Sequence, residues 1–306
     1  MTKLVTWDAA GVEAWANAAG EGAVLMHSLR GFVDAGRAGA LVAEHVLSLT
    51  EPVRVATFDV DQLLDYRSRR PQMTFTINQW TDYDEPSLVL DMVRDAQGRA
   101  FLLLHGVEPD ILWEKYIVAV KEMASRMGVG LTVGAHGIPM ATQHTRPLTA
   151  TVHGTRQDLL PDGSSFLGTV TVPASAQNLM EYRFGQWGLD AVNVVVHVPY
   201  YLGQSALPQA AQRALSEVEG LTGLDFDVAQ LDGAAEVATE EIDRQLRESQ
   251  EVAALVGTLE EQYDEFLANR ERGLPLQGPL PSADEIGAEF EKFLAQQQRR
   301  DLPPQP

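Results

Sequence analysis

Residues Gly98 to Pro147 read GRAFLLLHGVEPDILWEKYIVAVKEMASRMGVGLTVGAHGIPMATQHTRP. The apolar run Ala100 to His105 is too short for a helix and is typical of a strand buried on both faces. A sixteen-residue helix with a 3.6-residue apolar stripe should follow and end at Gly128, and Gly130 to Ala135 should form a second buried strand. This order predicts a right-handed crossover between neighbouring parallel strands, which brings the loops after both strands to one sheet edge.

The composition limits the classes of function that fit the chain. The 306 residues are 45% hydrophobic, and no apolar run reaches the length of a membrane-spanning helix. The first residues lack the pattern of a signal peptide, so we expect a cytoplasmic protein. The absence of cysteine excludes disulfides, thiolate catalysis and cysteine-ligated metals. A net charge of −20 argues against nucleic acid as a partner, and we expect no cofactor.

Short apolar runs and helical stripes alternate on both sides of the opening segment. They predict a three-layer α/β/α sandwich with a mixed sheet. The further predicted strands are Ala23–Leu29, Val53–Val60, Met73–Ile77 (with the alternation of an edge strand), Ser87–Arg94, Leu148–Thr155, Gly168–Val172 and Ala191–Val198. The further predicted helices are Arg37–Leu49, Ala174–Trp187 and Gln209–Leu221.

The strand pattern stops near Leu224, so we divide the chain into a core domain, residues 1–224, and an acidic helical appendage, residues 225–306. Within the appendage, the apolar stripe of residues 226–272 predicts one or two long amphipathic helices. A Pro-rich linker (274–281), a short capped helix and a disordered tail should follow. The stripe needs a partner surface, which is either another protein, a second copy of the chain, or the chain's own core.

Polar and charged side chains follow several of the predicted strands. Together with an arginine from the basic segment DYRSRRP they form a candidate ligand-binding site, because guanidinium groups recognise carboxylates and phosphates. The candidate residues are Asp34, Arg67, Glu108, Asp110, His144, Thr145 and Arg146. The alternative is that these charges only hold two loops together, since nothing in the set selects a nucleophile. We therefore predict no catalytic residue.

A phosphate-binding loop and a metal site are less consistent with the sequence. The strand–turn–helix around the GFVDAG turn, Gly31 to Gly36, follows the plan of a phosphate-binding loop but lacks its specific signatures. A metal site would need His105, Glu108, His136 and His144 to meet without any known ligand spacing. Histidines at strand ends are more often hydrogen-bonded core residues. We predict no metal.

Five short motifs in order resemble the proteasome-assembly-chaperone-2 family of prokaryotes, in particular its actinobacterial branch. They are GFVDAG, DYRSRRP, GVEPD with the following Trp113, GIP with HTRP, and VPYYLGQSALPQAA. At the positions of His105-Gly-Val and of Tyr200 the chain departs from the residues more frequent in that family.

The resemblance implies a nucleoside-phosphorylase-like α/β/α fold and an assembly factor or binding protein instead of a catalyst. We therefore expect a non-catalytic protein that binds protein partners, with a link to proteasome assembly, and that forms a homo-oligomer such as a trimer. The alternative is an enzyme or small-molecule binder that uses a pocket at the C-terminal edge of the sheet. A common fold does not by itself transfer a function.

Overall fold

The computed structural model describes residues 3–31, 33–161, 169, 171–248, 256–257 and 259–261. Its strands are β1 (Val5–Trp7), β2 (Ala23–Arg30), β3 (Val53–Phe58), β4 (Met73–Thr76), β5 (Gln79–Tyr83), β6 (Leu88–Arg94), β7 (Ala100–Val107), β8 (Val129–Met140), β9 (Ala150–Gly154) and β10 (Ala191–Pro199). Its α-helices are α1 (Ala9–Ala18), α2 (Ala38–Leu49), α3 (Trp113–Arg126), α4 (Ala176–Gln186), α5 (Pro208–Thr222) and α6 (Asp232–Glu248). None of the helices in these residues is long and apolar enough to cross a membrane.

Eight strands form one mixed sheet in the order β1-β3-β6-β7-β2-β8-β10-β9. The four strands β7, β2, β8 and β10 are parallel, whereas β6, β3, β1 and β9 join through antiparallel pairs. The predicted α/β fold with a mixed sheet is confirmed. Because β7, β2, β8 and β10 run the same way, their C-terminal ends share one edge of the sheet, as the sequence pattern predicted.

Helices cover both faces of this sheet, and successive strand residues alternate between two cores. Leu102 and Leu104 of β7 pack with side chains of α1, α3 and α4. Phe101 and Leu103 of the same strand pack with α2, α5 and α6 on the other face. This two-sided burial explains why the central strands appear in the sequence as continuous apolar runs.

β7, α3 and β8 form the predicted parallel strand–helix–strand unit, but the two strands are not neighbours, because β2 lies between them. Strand β8 is longer than expected, because it continues past Ala135 to Met140 and includes the first part of the predicted loop. Residues Gly137–Met140 pair in parallel with the end of β10, which supplies hydrogen-bonding partners that the local sequence does not reveal.

Two strand predictions need correction. Met73–Thr76 is a strand, but it pairs with β5 in a separate two-stranded sheet whose residues are all exposed, and Ile77 lies in the turn with φ of 58°. Of the predicted strand Gly168–Val172, the described residues Thr169, Thr171 and Val172 are not in a strand. Alternation alone did not show that both faces of β4 remain in solvent.

The chain continues to pack on the core after Leu224. The Phe226 ring lies 5.7 Å from that of Phe101, edge to face, and its carbonyl oxygen is 2.7 Å from His45 Nε2. Ile242 of α6 joins the same core. The predicted linker, capped helix and tail lie outside the described residues, and the division into two domains stays a prediction.

Candidate functional site

A cavity of about 930 Å³ lies at the edge where β2 and β7 end. Its wall consists of residues that follow these two strands and of the segment around Arg69. We call it the edge cavity. Parallel strands of an α/β sheet commonly place ligand sites in this position, because neighbouring connections diverge there. Of the predicted site residues, Asp34, Glu108 and Asp110 line it.

Asp34 caps helix α2. Its Oδ1 accepts hydrogen bonds from the backbone N–H groups of Gly39 (2.7 Å) and Gly137 (3.4 Å), and its Oδ2 accepts one from Ala40 (3.0 Å). Burial raises the pKa of this carboxyl to about 6, although the three hydrogen bonds act in the opposite direction. Both oxygens therefore have internal partners, and the N-terminus of α2 is already occupied by a carboxylate.

Glu108 connects the end of β7 to the start of α4. Its side chain is buried, and Oε1 accepts a hydrogen bond of 2.6 Å from the backbone N–H of Ala176. The chain passes so close at Gly31 that a Cβ there would lie 2.3 Å from Glu108 Oε2. A glycine at this turn is therefore a steric requirement of the buried glutamate.

Asp110 forms an ion pair with Arg69, and its Oδ2 accepts a hydrogen bond of 2.9 Å from the backbone of Asp65. Arg69 also donates to the carbonyl oxygens of Arg30 (3.4 Å) and Glu108 (3.2 Å). Arg69 thus holds the basic segment against the ends of both strands. The sequence analysis had selected Arg67, and not Arg69, as the arginine of the candidate ligand-binding site.

Arg67, the predicted residue, turns away from the edge cavity. Its side chain is 90% exposed and pairs with Asp65 at 3.2 Å. The sequence shows a basic segment, because three arginines lie within four residues. It does not show which of these arginines faces inward. That choice depends on the turn geometry of Asp65, whose backbone carbonyl accepts from the N–H of Arg69 at 3.0 Å.

His144, Thr145 and Arg146 lie apart from the edge cavity and contact the C-terminal helices. His144 Nδ1 is 2.7 Å from the Tyr201 hydroxyl, and its Nε2 is 3.6 Å from Asp243 of α6. Thr145 and Arg146 both bind the carboxylate of Glu260, the latter at 3.4 Å. The predicted constellation is therefore divided into a cavity group and a group that fastens the C-terminal segment. A role in ligand binding stays a prediction for all seven residues.

A polar cluster beneath α4, buried except at Glu181 and His153, was not predicted. Gln177 Oε1 lies 3.1 Å from His27 Nδ1, and Glu181 lies 3.0 Å from His153 Nδ1 and also accepts from Asn193. We call these five side chains, together with His136, the α4 cluster. No sequence signal separated Gln177 and Glu181 from the exposed side of their helix.

His136 has a distinct position in the α4 cluster. Its ring is buried, its Nδ1 has no hydrogen-bonding partner among the described residues, and burial lowers its pKa to about 4. His27 and His197 have pKa values lowered to about 4 for the same reason. Among the residues that the structure describes, no three or more histidines and carboxylates are placed to hold a metal ion.

The chain matches the PAC2 family over residues 28–246 and belongs to it. The structure is similar to that of Rv2714 from Mycobacterium tuberculosis, described as of unknown function, with 41% identity, 97% of each chain covered and a TM-score of 0.84. A Corynebacterium glutamicum protein of unknown function is 33% identical over 86% of this chain and 98% of its own, with a TM-score of 0.80.

Rv2125 from Mycobacterium tuberculosis, described as a proteasome-assembly chaperone homologue, has the same fold. It is 21% identical over 76% of this chain and 99% of its own, with a TM-score of 0.69. No curated protein matches the chain. The predicted family is confirmed.

Proposed function

We propose that this PAC2 family member is a non-catalytic protein that binds other proteins and associates with itself, in the manner of an assembly chaperone. The observation that carries the proposal is the β4–β5 hairpin. Its large apolar side chains face solvent: Phe75 is 55% exposed, Trp80 62% and Ile77 93%. The printed name of Rv2125 supports the chaperone part of the proposal, but likeness at that identity concerns the fold alone.

The hairpin has the properties of a surface that another protein covers. An isolated two-stranded hairpin is only marginally stable in water, and the outer edges of β4 and β5 have no strand partner within the described chain. Between Met73 and Tyr83, Asp82 is the one charged residue in a chain whose net charge is −20. Clustered aromatic side chains with little charge are typical of the centre of protein interfaces.

The test replaces both aromatic rings by the double substitution Phe75→Thr and Trp80→Thr, since threonine is compatible with a strand. We expect the variant to elute with a smaller molar mass than the wild type in size-exclusion chromatography with light scattering. We also expect it to lose partners captured by the wild type. Tyr182→Thr, which removes a single ring that is 61% exposed on α4, is the control and should change neither result. An unchanged mass and unchanged captured proteins for the hairpin variant would refute the proposal.

The appendage stays a second proposed surface for recognition. Its described part packs on the core through Phe226 and Ile242, so its recognition surface is the outer face of α6. Glu236 and Glu240 lie exposed there, and a partner with basic side chains would complement them. Substitution of both glutamates by lysine is a cleaner test than truncation after Leu224, because truncation would also remove Phe226 from the core. Retention of every partner by this variant would exclude the role.

A further inference from the structure

Five carboxylates line the edge cavity, and four of them are bound by groups of the protein itself; the fifth, Asp84, has no side-chain hydrogen bond or ion pair among the described residues. Asp65 accepts from the backbone N–H and the Nε of Arg67. Asp34 accepts from three backbone N–H groups, Glu108 from that of Ala176, and Asp110 from Arg69 and the backbone of Asp65. These four acids hold loops and helix ends in place. The edge cavity therefore presents fewer unpaired carboxylates to a ligand than its composition indicates.

The donors that line the same cavity are only partly used. Arg69 is paired with Asp110, and Arg37 with Glu44 at 2.9 Å. Arg30 and Arg70, in contrast, line the cavity without a side-chain hydrogen bond or ion pair to any described residue. The Nε2 atom of Gln204, also in the wall, is buried and has no hydrogen-bonding partner among the described residues. Among the described lining residues, the charged groups left over are two cations and the carboxylate of Asp84, and the buried amide of Gln204 adds a donor.

The lining of the same cavity also has an apolar part. It includes Leu64, Ile111 and Trp113, whose indole N–H donates to the carbonyl oxygen of Pro109 at 2.6 Å and so fixes the ring. A volume of about 930 Å³ is large for an inorganic ion and matches cavities that hold organic ligands. An aromatic wall next to unpaired guanidinium groups fits a molecule with both an apolar body and a negative group.

We propose that the edge cavity binds a small organic anion, whose phosphate or carboxylate is recognised by Arg30 and Arg70 with help from Gln204, and whose body contacts Trp113. The chain as a whole repels anions, because its net charge is −20. Local guanidinium groups are therefore needed to recruit such a ligand. The proposal is independent of the protein-binding role of the hairpin, which lies outside this cavity.

The test measures binding to the full-length protein by isothermal titration calorimetry with three probes. Adenosine 5′-monophosphate and adenosine share the same body and differ in the phosphate, and citrate presents carboxylates instead. We expect the monophosphate or citrate to bind with a Kd below roughly 1 mM, and adenosine to bind at least about tenfold more weakly than the monophosphate if the latter binds. Which of the two anions binds identifies the acidic group that the cavity prefers.

The double substitution Arg30→Gln and Arg70→Gln should weaken anion binding by about tenfold or more, because glutamine keeps a donor but removes the charge. Both side chains are exposed, so folding should not change. Arg94→Gln is the control: Arg94 is an exposed arginine at the opposite end of the sheet, bonded to the carbonyl oxygen of Gly98, and its loss should leave binding unchanged. The proposal fails if neither anion binds, if adenosine binds as well as its monophosphate, or if the double variant binds normally. The subunit number of the same samples tests the hairpin separately.

Discussion

The β4–β5 hairpin and the contact between α4 and the sheet are both exceptions to the usual distribution of side chains. The hairpin exposes apolar side chains, whereas the α4 contact buries polar ones. The hairpin holds Phe75 and Trp80 in solvent, with ring centroids 5.1 Å apart. The α4 contact holds Gln177 and His136 inside, where apolar residues are the rule.

The difference separates two kinds of requirement. Exposed apolar side chains lack a partner surface among the described residues, and a second protein chain can supply that surface. Buried polar side chains need partners within hydrogen-bonding distance, and the chain supplies them for Gln177 and Glu181. The hairpin should therefore matter for association, whereas the α4 cluster should matter for the stability of a single chain.

The largest effect on stability is expected from Glu181→Leu. This substitution removes the acceptor of His153 and Asn193 and leaves the buried amide of Asn193 without its partner. The free energy of unfolding should fall by about 3 kcal/mol or more, since breaking a buried polar pair leaves a group unsatisfied. Denaturation in urea measures it.

The control for this substitution breaks an exposed ion pair of the same helix. Arg183 of α4 pairs with the exposed Glu114 of α3, and Glu114→Ala should lower the free energy of unfolding by less than about 1 kcal/mol. Equal losses in the free energy of unfolding for the two variants would mean that the contacts of Glu181 stabilise the fold no more than an exposed ion pair does.

The α4 cluster should also make stability depend on pH. Burial lowers the pKa of His27 and of His136 from 6.5 to about 4, so below pH 6.5 the unfolded chain takes up protons that the folded chain does not. The stability that these two neutral histidines contribute is therefore complete above pH 6.5 and is lost as the pH falls towards 4. The pKa of Asp34, raised to about 6, has the opposite effect, because its folded form holds a proton more tightly than the unfolded form.

The substitution His136→Leu separates the contribution of one histidine to this pH dependence from the others. Between pH 7 and pH 5 the variant should lose less free energy of unfolding than the wild type, by roughly 2 kcal/mol at most. Its own value at pH 7 serves as the reference, and urea titrations at both pH values provide the measurement. Parallel losses in variant and wild type would show that His136 is not buried as a neutral ring.

The smallest effect on stability is expected at the hairpin. At a concentration where the chain is monomeric, the Phe75→Thr and Trp80→Thr variant should unfold within about 0.5 kcal/mol of the wild type, because side chains in solvent bury little area on folding. A loss of several kcal/mol would show that the hairpin packs on its own core, and the comparison above would no longer hold.

The parts of the fold that the sequence predicted are those in which local pattern and burial agree. Strands β7, β8 and β10 are covered on both faces, so their apolar runs were informative. The hairpin strands are exposed on both faces, and the alternation of Met73–Ile77 therefore said nothing about where they lie. The inward direction of Gln177 and Glu181 depends on His27, His153 and Asn193, which are distant in sequence.

The candidate site shows the same limit. The strand-end rule brought Asp34, Glu108 and Asp110 together, because parallel strands end at one edge. It could not show that Arg146 is drawn to Glu260, since that contact requires the C-terminal segment to fold back. His27, His105 and His197 do have hydrogen-bonding neighbours in the core, as predicted for strand histidines, but their partners were not predictable.

The carboxylate of Asp34 occupies the N-terminus of α2, where a dissolved anion could otherwise bind. In phosphate-binding loops the first turn of a helix is open, and its N–H groups hold a free anion. Here Gly39 and Ala40 donate to a carboxylate of the same chain, which acts as a tethered ligand with a high effective concentration. A dissolved phosphate is at a disadvantage against this intramolecular competitor. The turn therefore has the shape of an anion receptor whose occupant belongs to the same chain.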